Sequence, residues 1–300
     1  MTPIRVAVTG GHGFIGAALL AALRKDGHSA LTVGRGPPSD VLWDPEHGQL
    51  DGASLAGAGA VVHLAGAPVG ERWTAAKKKA IRESRVLGTR LMASSLASLA
   101  TSEGPRVLVC ASAVGYYGSR GDEWLDESST PGTDFLAGVA REWEAAADPA
   151  REAGIRVVHL RLGLVLSPRG GALAKMLPAF RLGAGARLGG GKQWMSWIAL
   201  DDVVRAIQFA MVTETLAGAA NVTSPAPVTN AEFTSTLGHV LNRPALAAVP
   251  AFVLRGLFGE MGEATLLASQ RVRPAHLTAA GFNFLHPLLE NALRYEFQQR

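Results

Sequence analysis

Short, uninterrupted apolar runs alternate with longer amphipathic stretches through the first half of the chain. Ile4–Val8, Ala30–Val33, Ala60–Leu64, Val107–Ala111 and Arg156–Arg161 read as strands, and Ile15–Lys25, Ala75–Ala100 and Phe135–Ala153 as the helices between them. Runs without polar alternation are buried on both faces, and strands separated by helices pair in parallel. The pattern therefore predicts an α/β protein with a doubly wound parallel sheet of the Rossmann kind. After Arg161 the texture changes. Gly170-Gly171 and the run from Gly183 to Gly191 break it, and Trp194-Met195-Ser196-Trp197 follows. Asp201-Asp202 are expected to cap a helix running to Thr213. Thr229 and Glu232 have the spacing of a capping box ahead of another helix. Beyond Pro244 come short apolar helical pieces.

Composition narrows the class. Of 300 residues, 48% are hydrophobic and 18% charged, which excludes a disordered chain. The length fits one large domain or a domain with a smaller partner. Mean hydropathy is +0.16, which raises the question of a membrane span. The longest uncharged stretch, Gly52 to Gly70, is interrupted by six glycines or prolines and reads as loop plus buried strand. The net charge of +4 comes with no basic arm, and Lys77-Lys78-Lys79 opens a helix as a solvated face. No nucleic-acid partner is indicated. The single Cys110 lies in a buried strand, and with eight scattered histidines it makes no metal-ligand cluster. The first strand begins within three residues of Met1, leaving no room for a signal peptide, so a cytoplasmic location is expected.

Thr9-Gly10-Gly11-His12-Gly13-Phe14-Ile15-Gly16 leaves the first strand and opens the first helix. In that setting Gly10 allows a tight turn, Gly13 admits a pyrophosphate to the backbone, and Gly16 permits close packing of the helix. The helix N-terminus then faces the phosphates. An NAD site presents a carboxylate about 20 residues later for the ribose 2′-hydroxyl. Here the second strand ends Gly34-Arg35, and no carboxylate stands between that strand and Asp40. A guanidinium suits a 2′-phosphate, so the expected cofactor is NADP(H). Residues 1–165 are accordingly expected to form the NADP-binding domain, with 195–225 returning to it. Residues 166–194 and 226–300 would form a substrate-side lobe, 244–300 being its C-terminal piece.

These motifs, with Val62-His63-Leu64-Ala65-Gly66, Ser112-x-x-x-Tyr116-Tyr117-Gly118 and Arg161-x-Gly163-x-Val165, resemble the short-chain dehydrogenase/reductase superfamily. The resemblance is to its extended, NAD(P)-dependent epimerase/dehydratase-like branch. Arg72-Trp73, Ser84-Arg85, Phe180-Arg181-Leu182-Gly183, Gln193 to Ile198 and Asn221-Val222-Thr223 point further, to an atypical subfamily of "epimerase family proteins" with a small C-terminal domain. The resemblance implies NADP contacts at Gly10, Gly13, Phe14, Ile15, Gly16, Gly34, Arg35, Leu64, Ala65, Arg85 and Val165. Some proteins of this kind have been linked to cell division.

The chemistry departs from the superfamily. Its reductases use Tyr-x-x-x-Lys, in which the ammonium lowers the phenol pKa from about 10. The three tyrosines here, Tyr116, Tyr117 and Tyr295, are followed four residues on by Arg120, Gly121 and Gln299. On the helix expected to carry the pair stand Phe135 and Val139, which are expected to face the nicotinamide. The remaining candidates are Ser112 at the end of a strand and Tyr116 and Tyr117 just beyond it. Two functions follow: an NADP-dependent oxidoreductase acting on a small carbonyl or alcohol with a nonstandard proton donor, or a catalytically silent NADP-binding redox sensor or regulator.

Overall fold

The computed structural model describes residues 3–99 and 104–298. Ala100, the last residue of the longest expected helix, lies outside them. In chain order the first strands are β1 (Arg5–Thr9), β2 (Ser29–Gly34), β3 (Val41–Asp44), β4 (Gln49–Leu50), β5 (Ala60–His63) and β6 (Val107–Ala113). The short β7 (Trp124–Leu125), then β8 (Arg156–Leu162) and β9 (Leu164–Leu166), follow. Seven of these nine join Gly218–Val222 in an eight-stranded sheet, ordered Gly218–Val222, β8, β6, β5, β1, β2, β3, β4. Every pairing is parallel except the β3–β4 hairpin. The fold is a doubly wound parallel α/β sheet. From β1 the chain runs outward to β4, then returns to β5 on the other side of β1. Ligands of open α/β sheets sit at such a reversal, outside the carboxyl ends of the strands.

The helices are α1 (Phe14–Lys25), α2 (Ala75–Ser98), α3 (Phe135–Ala145), α4 (Asp148–Glu152), α5 (Gly171–Arg181) and α6 (Leu200–Val212). Successive strand residues point to opposite faces of the sheet, and here both faces are apolar. Val6, Val8, Val62, Val109 and Leu160 pack with Leu19 and Leu23 of α1 and with Val203 and Ile207 of α6. Their neighbours Ala7, Val61, Leu108 and Val157 face the other way, onto Met92 and Leu96 of α2 and Ala150 of α4. A third core joins Leu173, Leu177 and Phe180 of α5 to Trp197, Phe233, Leu237 and Leu293. No helix among the described residues is long and apolar enough to cross a membrane.

Two local expectations are corrected. The stretch Phe135–Ala153 is not one helix but α3 and α4, because Pro149 lacks an N–H and its ring cannot sit inside a continuous helix. Asp201 and Asp202 do not cap α6. Ala199 is the N-cap and both acids lie in the first turn, where they complement the helix dipole. Asp202 instead accepts the backbone N–H groups of Leu285 and His286 at 2.7 and 2.9 Å, which fastens the C-terminal segment to α6. The capping box of Thr229 and Glu232 is present as the spacing predicts.

Candidate functional site

The glycine turn after β1 is built for close approach. Gly10 has φ +69°, and a Cβ there would lie 3.0 Å from the Ala65 nitrogen. A Cβ on Gly16 would overlap the Gly10 carbonyl oxygen, so α1 can begin this close to β1 only with glycine there. Gly13, the N-cap of α1, has no side chain to offer. The first helical bond runs from Ala17 N–H to the Gly13 carbonyl. The N–H groups of Phe14, Ile15 and Gly16 are therefore left for an anion.

Opposite this turn, the end of β5 is fixed by one hydroxyl. Thr9 Oγ1 accepts from Leu64 N–H at 3.0 Å and from Ala65 N–H at 3.2 Å, and lies 2.8 Å from His63 Nδ1. With both lone pairs engaged, the hydroxyl must donate to Nδ1, which places the ring proton of His63 on Nε2. That nitrogen has no hydrogen-bonding partner and lies in an edge contact with Trp43. Burial holds the His63 pKa down at about 4. The folded protein thus refuses a proton that an unfolded histidine takes near 6.5. Between those values the unfolded state binds more protons, so this histidine costs stability as pH falls, by about 3 kcal/mol once both states are protonated. Urea unfolding from pH 7 to 4 should show that His63→Asn, which keeps an acceptor for Thr9 but does not titrate, loses less stability than the parent.

Between these elements and α3 opens a cleft of about 300 Å³. Phe14 of α1, Leu64, Ser112 of β6, Trp143 of α3, Val165 of β9 and Arg85 of α2 line it. Arg85 donates to the carbonyls of Ala67 and Ile81 at 3.1 and 3.0 Å and stacks over Trp143 at 5.0 Å. Burial pulls its pKa down to about 10. Among the described residues no carboxylate forms an ion pair with it, so this half-buried cation is suited to a phosphate group.

Ser112 donates to Glu144 Oε1 at 2.7 Å. Arg161 grips the same carboxylate with two bonds, Nε to Oε1 at 2.9 Å and Nη2 to Oε2 at 2.8 Å. The Arg161 and Glu144 side chains are only 4% and 13% exposed. Neither Glu144 nor Arg161 stands among the site candidates that the sequence offers. Neither tyrosine lines the cleft. Tyr117 is fully buried, donates to Asn221 Oδ1 at 2.7 Å and accepts from Arg161 Nη1 at 3.0 Å. Burial pushes its phenol up to about 12 against the opposing pull of Arg161. Tyr116 is half-buried with the Arg161 guanidinium 3.4 Å from its ring centre.

Phe135 and Val139 depart from expectation. Phe135 packs on Trp73 at 5.2 Å and under the Lys78 ammonium at 4.5 Å, and Val139 is buried. Neither lines the cleft, whereas Trp143 one turn beyond Val139 does.

Beside β1 in the sheet, Gly34 closes β2 against the Ser39 hydroxyl, and Arg35 projects into solvent, 3.7 Å from Glu46. Asp40, the first carboxylate after β2, bonds to Thr32. It accepts from Thr32 N–H and Thr32 Oγ1, both at 2.7 Å, and those bonds lower its pKa.

A glycine turn at a helix N-terminus, facing a cleft at the reversal of a parallel sheet, defines an NAD(P)-binding α/β protein of the short-chain dehydrogenase/reductase type. Residues 6–222 match the NAD dependent epimerase/dehydratase family, and residues 249–296 match a domain of unknown function, DUF1731. The chain belongs to the NAD dependent epimerase/dehydratase family. It is 45% identical over 294 residues to the epimerase family protein MT2273 of Mycobacterium tuberculosis, covering 97% of this chain and 96% of the relative. The crystal structure of human epimerase family protein SDR39U1 with NADPH superposes with a TM-score of 0.90 at 33% identity, covering 99% of this chain and all of that one. UDP-glucose 4-epimerase from Thermotoga maritima, with a TM-score of 0.78 at 19% identity, shares the fold over 99% of each chain.

Proposed function

We propose that the protein is an NADP(H)-dependent oxidoreductase acting on a small carbonyl or alcohol. The observation that carries the reading is Ser112, which lines the cleft beside the glycine turn and donates its hydroxyl to Glu144. The bound cofactor would supply or accept a hydride. The free N–H groups of Phe14, Ile15 and Gly16 would hold its pyrophosphate, with Gly10 and Gly13 leaving it room, and Arg85 would meet a phosphate. Leu64, Ala65 and Val165 would form the walls around it. Ser112 would hold the substrate oxygen by a hydrogen bond, and Leu64, Trp143 and Val165 would exclude water. Turnover of NADPH by a panel of aliphatic and aryl ketones and aldehydes tests the reading. Tight NADPH binding with no turnover would favour a silent sensor.

The choice of NADP(H) rests on Arg35 beside Gly34 and on the absence of a carboxylate from the end of β2, the next one, Asp40, being bonded to Thr32. The reading agrees with NADPH in the human relative. Because Arg35 is well exposed, its contact with a 2′-phosphate is screened and contributes about 1 kcal/mol. Calorimetric titration should show Arg35→Ala weakening NADPH several-fold while leaving NADH unchanged. Equal losses would overturn the assignment.

A further inference from the structure

We propose that Glu144 is the proton acceptor and donor behind Ser112, standing in for the absent Tyr-x-x-x-Lys pair. This rests on the oxidoreductase reading above. The strand register sets up the geometry: β6 and β8 pair Ser112 with Arg161 and Cys110 with His159. Glu144 from α3 reaches over the first of these pairs and touches both of its members.

The direction of the Ser112 bond matters most. Its hydrogen is committed to Glu144 Oε1, which leaves the lone pairs of its oxygen to serve a substrate hydroxyl in the cleft that Ser112 lines. A substrate hydroxyl would donate to Ser112 while Ser112 donates onward, giving an unbroken path from substrate to carboxylate. Neither Tyr116 nor Tyr117 lines the cleft. The Tyr117 hydroxyl is closed between Asn221 and Arg161, and the Tyr116 ring lies against the Arg161 guanidinium.

Arg161 fixes the carboxylate in place with its two bonds, and Tyr117 in turn braces Arg161. The other titratable groups facing Glu144 from the sheet are His159 and Cys110, both buried. Burial favours the neutral form of each, so neither competes as a charge. An ion pair serving stability alone would be weakly motivated, since apolar replacements of such pairs are often as stable. It would also have no need of a hydroxyl opening on the cleft.

In alcohol oxidation the substrate O–H bond breaks and its proton joins Ser112 Oγ, while the proton of Ser112 passes to Glu144 Oε1. The C–H bond breaks with its electron pair, the hydride passing to NADP⁺, and the C=O bond forms. The products are the carbonyl compound, NADPH and a protonated Glu144, which releases its proton to solvent. Carbonyl reduction runs the same steps backwards.

The test uses the full chain and the most rapidly reduced ketone of the panel with its matching alcohol. Glu144→Gln keeps a hydrogen-bond acceptor for Ser112 but cannot take the proton, and Glu144→Ala leaves space for formate. Melting curves and NADPH titration identify the folded variants. The expected result is a kcat lowered about 10²–10⁴-fold with KM little changed, the scale of general acid–base catalysis. The fall in parent alcohol oxidation at low pH should disappear in Glu144→Gln, and added formate should restore part of the Glu144→Ala rate but none of the Ser112→Ala rate. Glu144→Gln at the parent rate, or a loss that formate does not restore and that tracks a raised KM, would overturn the role of Glu144 while leaving the oxidoreductase reading in place. If Glu144→Ala does not fold, the rate and pH profile of Glu144→Gln decide the matter. A parent inert toward every probe would overturn both.

Discussion

Gly16→Ala should abolish cofactor binding while leaving the sheet folded. The new methyl group would overlap the Gly10 carbonyl oxygen, which is backbone and cannot rotate aside. To relieve the overlap, α1 must draw away from β1. The N–H groups of Phe14, Ile15 and Gly16 then lose the alignment that an anion at a helix N-terminus requires. Fluorescence titration should show NADPH affinity reduced by two orders of magnitude or more, with a far-ultraviolet circular dichroism spectrum like that of the parent. Near-parent affinity would show that the phosphates do not sit at this turn.

Arg161→Met should be among the most destabilising single substitutions in the chain. The change strands the Glu144 carboxylate, which is nearly buried, and removes a donor from the Tyr117 hydroxyl. Removing one partner of a buried ion pair costs about 3–5 kcal/mol, because the other charge remains without compensation. In a protein of this size that lowers the melting temperature by roughly 10 °C. Replacing both members, as Arg161→Met with Glu144→Met, should recover much of the loss. Differential scanning calorimetry of the single and double variants measures both effects, and a single variant melting with the parent would contradict the burial of the pair.

Much of the fold was legible because the central strands are buried on both faces. Val6 to Val8, Ala60 to Val62 and Val107 to Val109 read as apolar runs with no alternation, and the glycine turn lies within a few residues of β1. The edge was not legible. In β3 the single buried aromatic, Trp43, stands between exposed Leu42 and Asp44, and β4 is two residues long. The strand Gly218–Val222 is mostly glycine, alanine and asparagine, so its pairing with β8 comes from tertiary packing and not from local pattern.

The network behind Ser112 was hidden for a different reason. Glu144, Arg161, Tyr117 and Asn221 come from four separate segments, and only the sheet register brings them together. A signal for part of it did exist. Arg161 sits inside the run Val157-Val158-His159-Leu160-Arg161-Leu162, a strand covered on both faces, where a guanidinium demands a buried carboxylate. Glu144 follows Ala140 by one helical turn and so lies along the buried side of α3. Placing the missing pair at Phe135 and Val139 by chain position alone passed over Glu144, further along the same helix.

The central claim is that Ser112 serves the substrate oxygen beside a bound nicotinamide. Transfer of deuterium from NADPH labelled at the nicotinamide C4 to a ketone or aldehyde of the panel, compared between the parent and Ser112→Ala, tests it most directly. The account predicts labelled alcohol from the parent and transfer about 10²–10⁴-fold slower from the variant, with NADPH affinity unchanged in both. Equal transfer by the two proteins, or no transfer by a parent that binds NADPH, would contradict it.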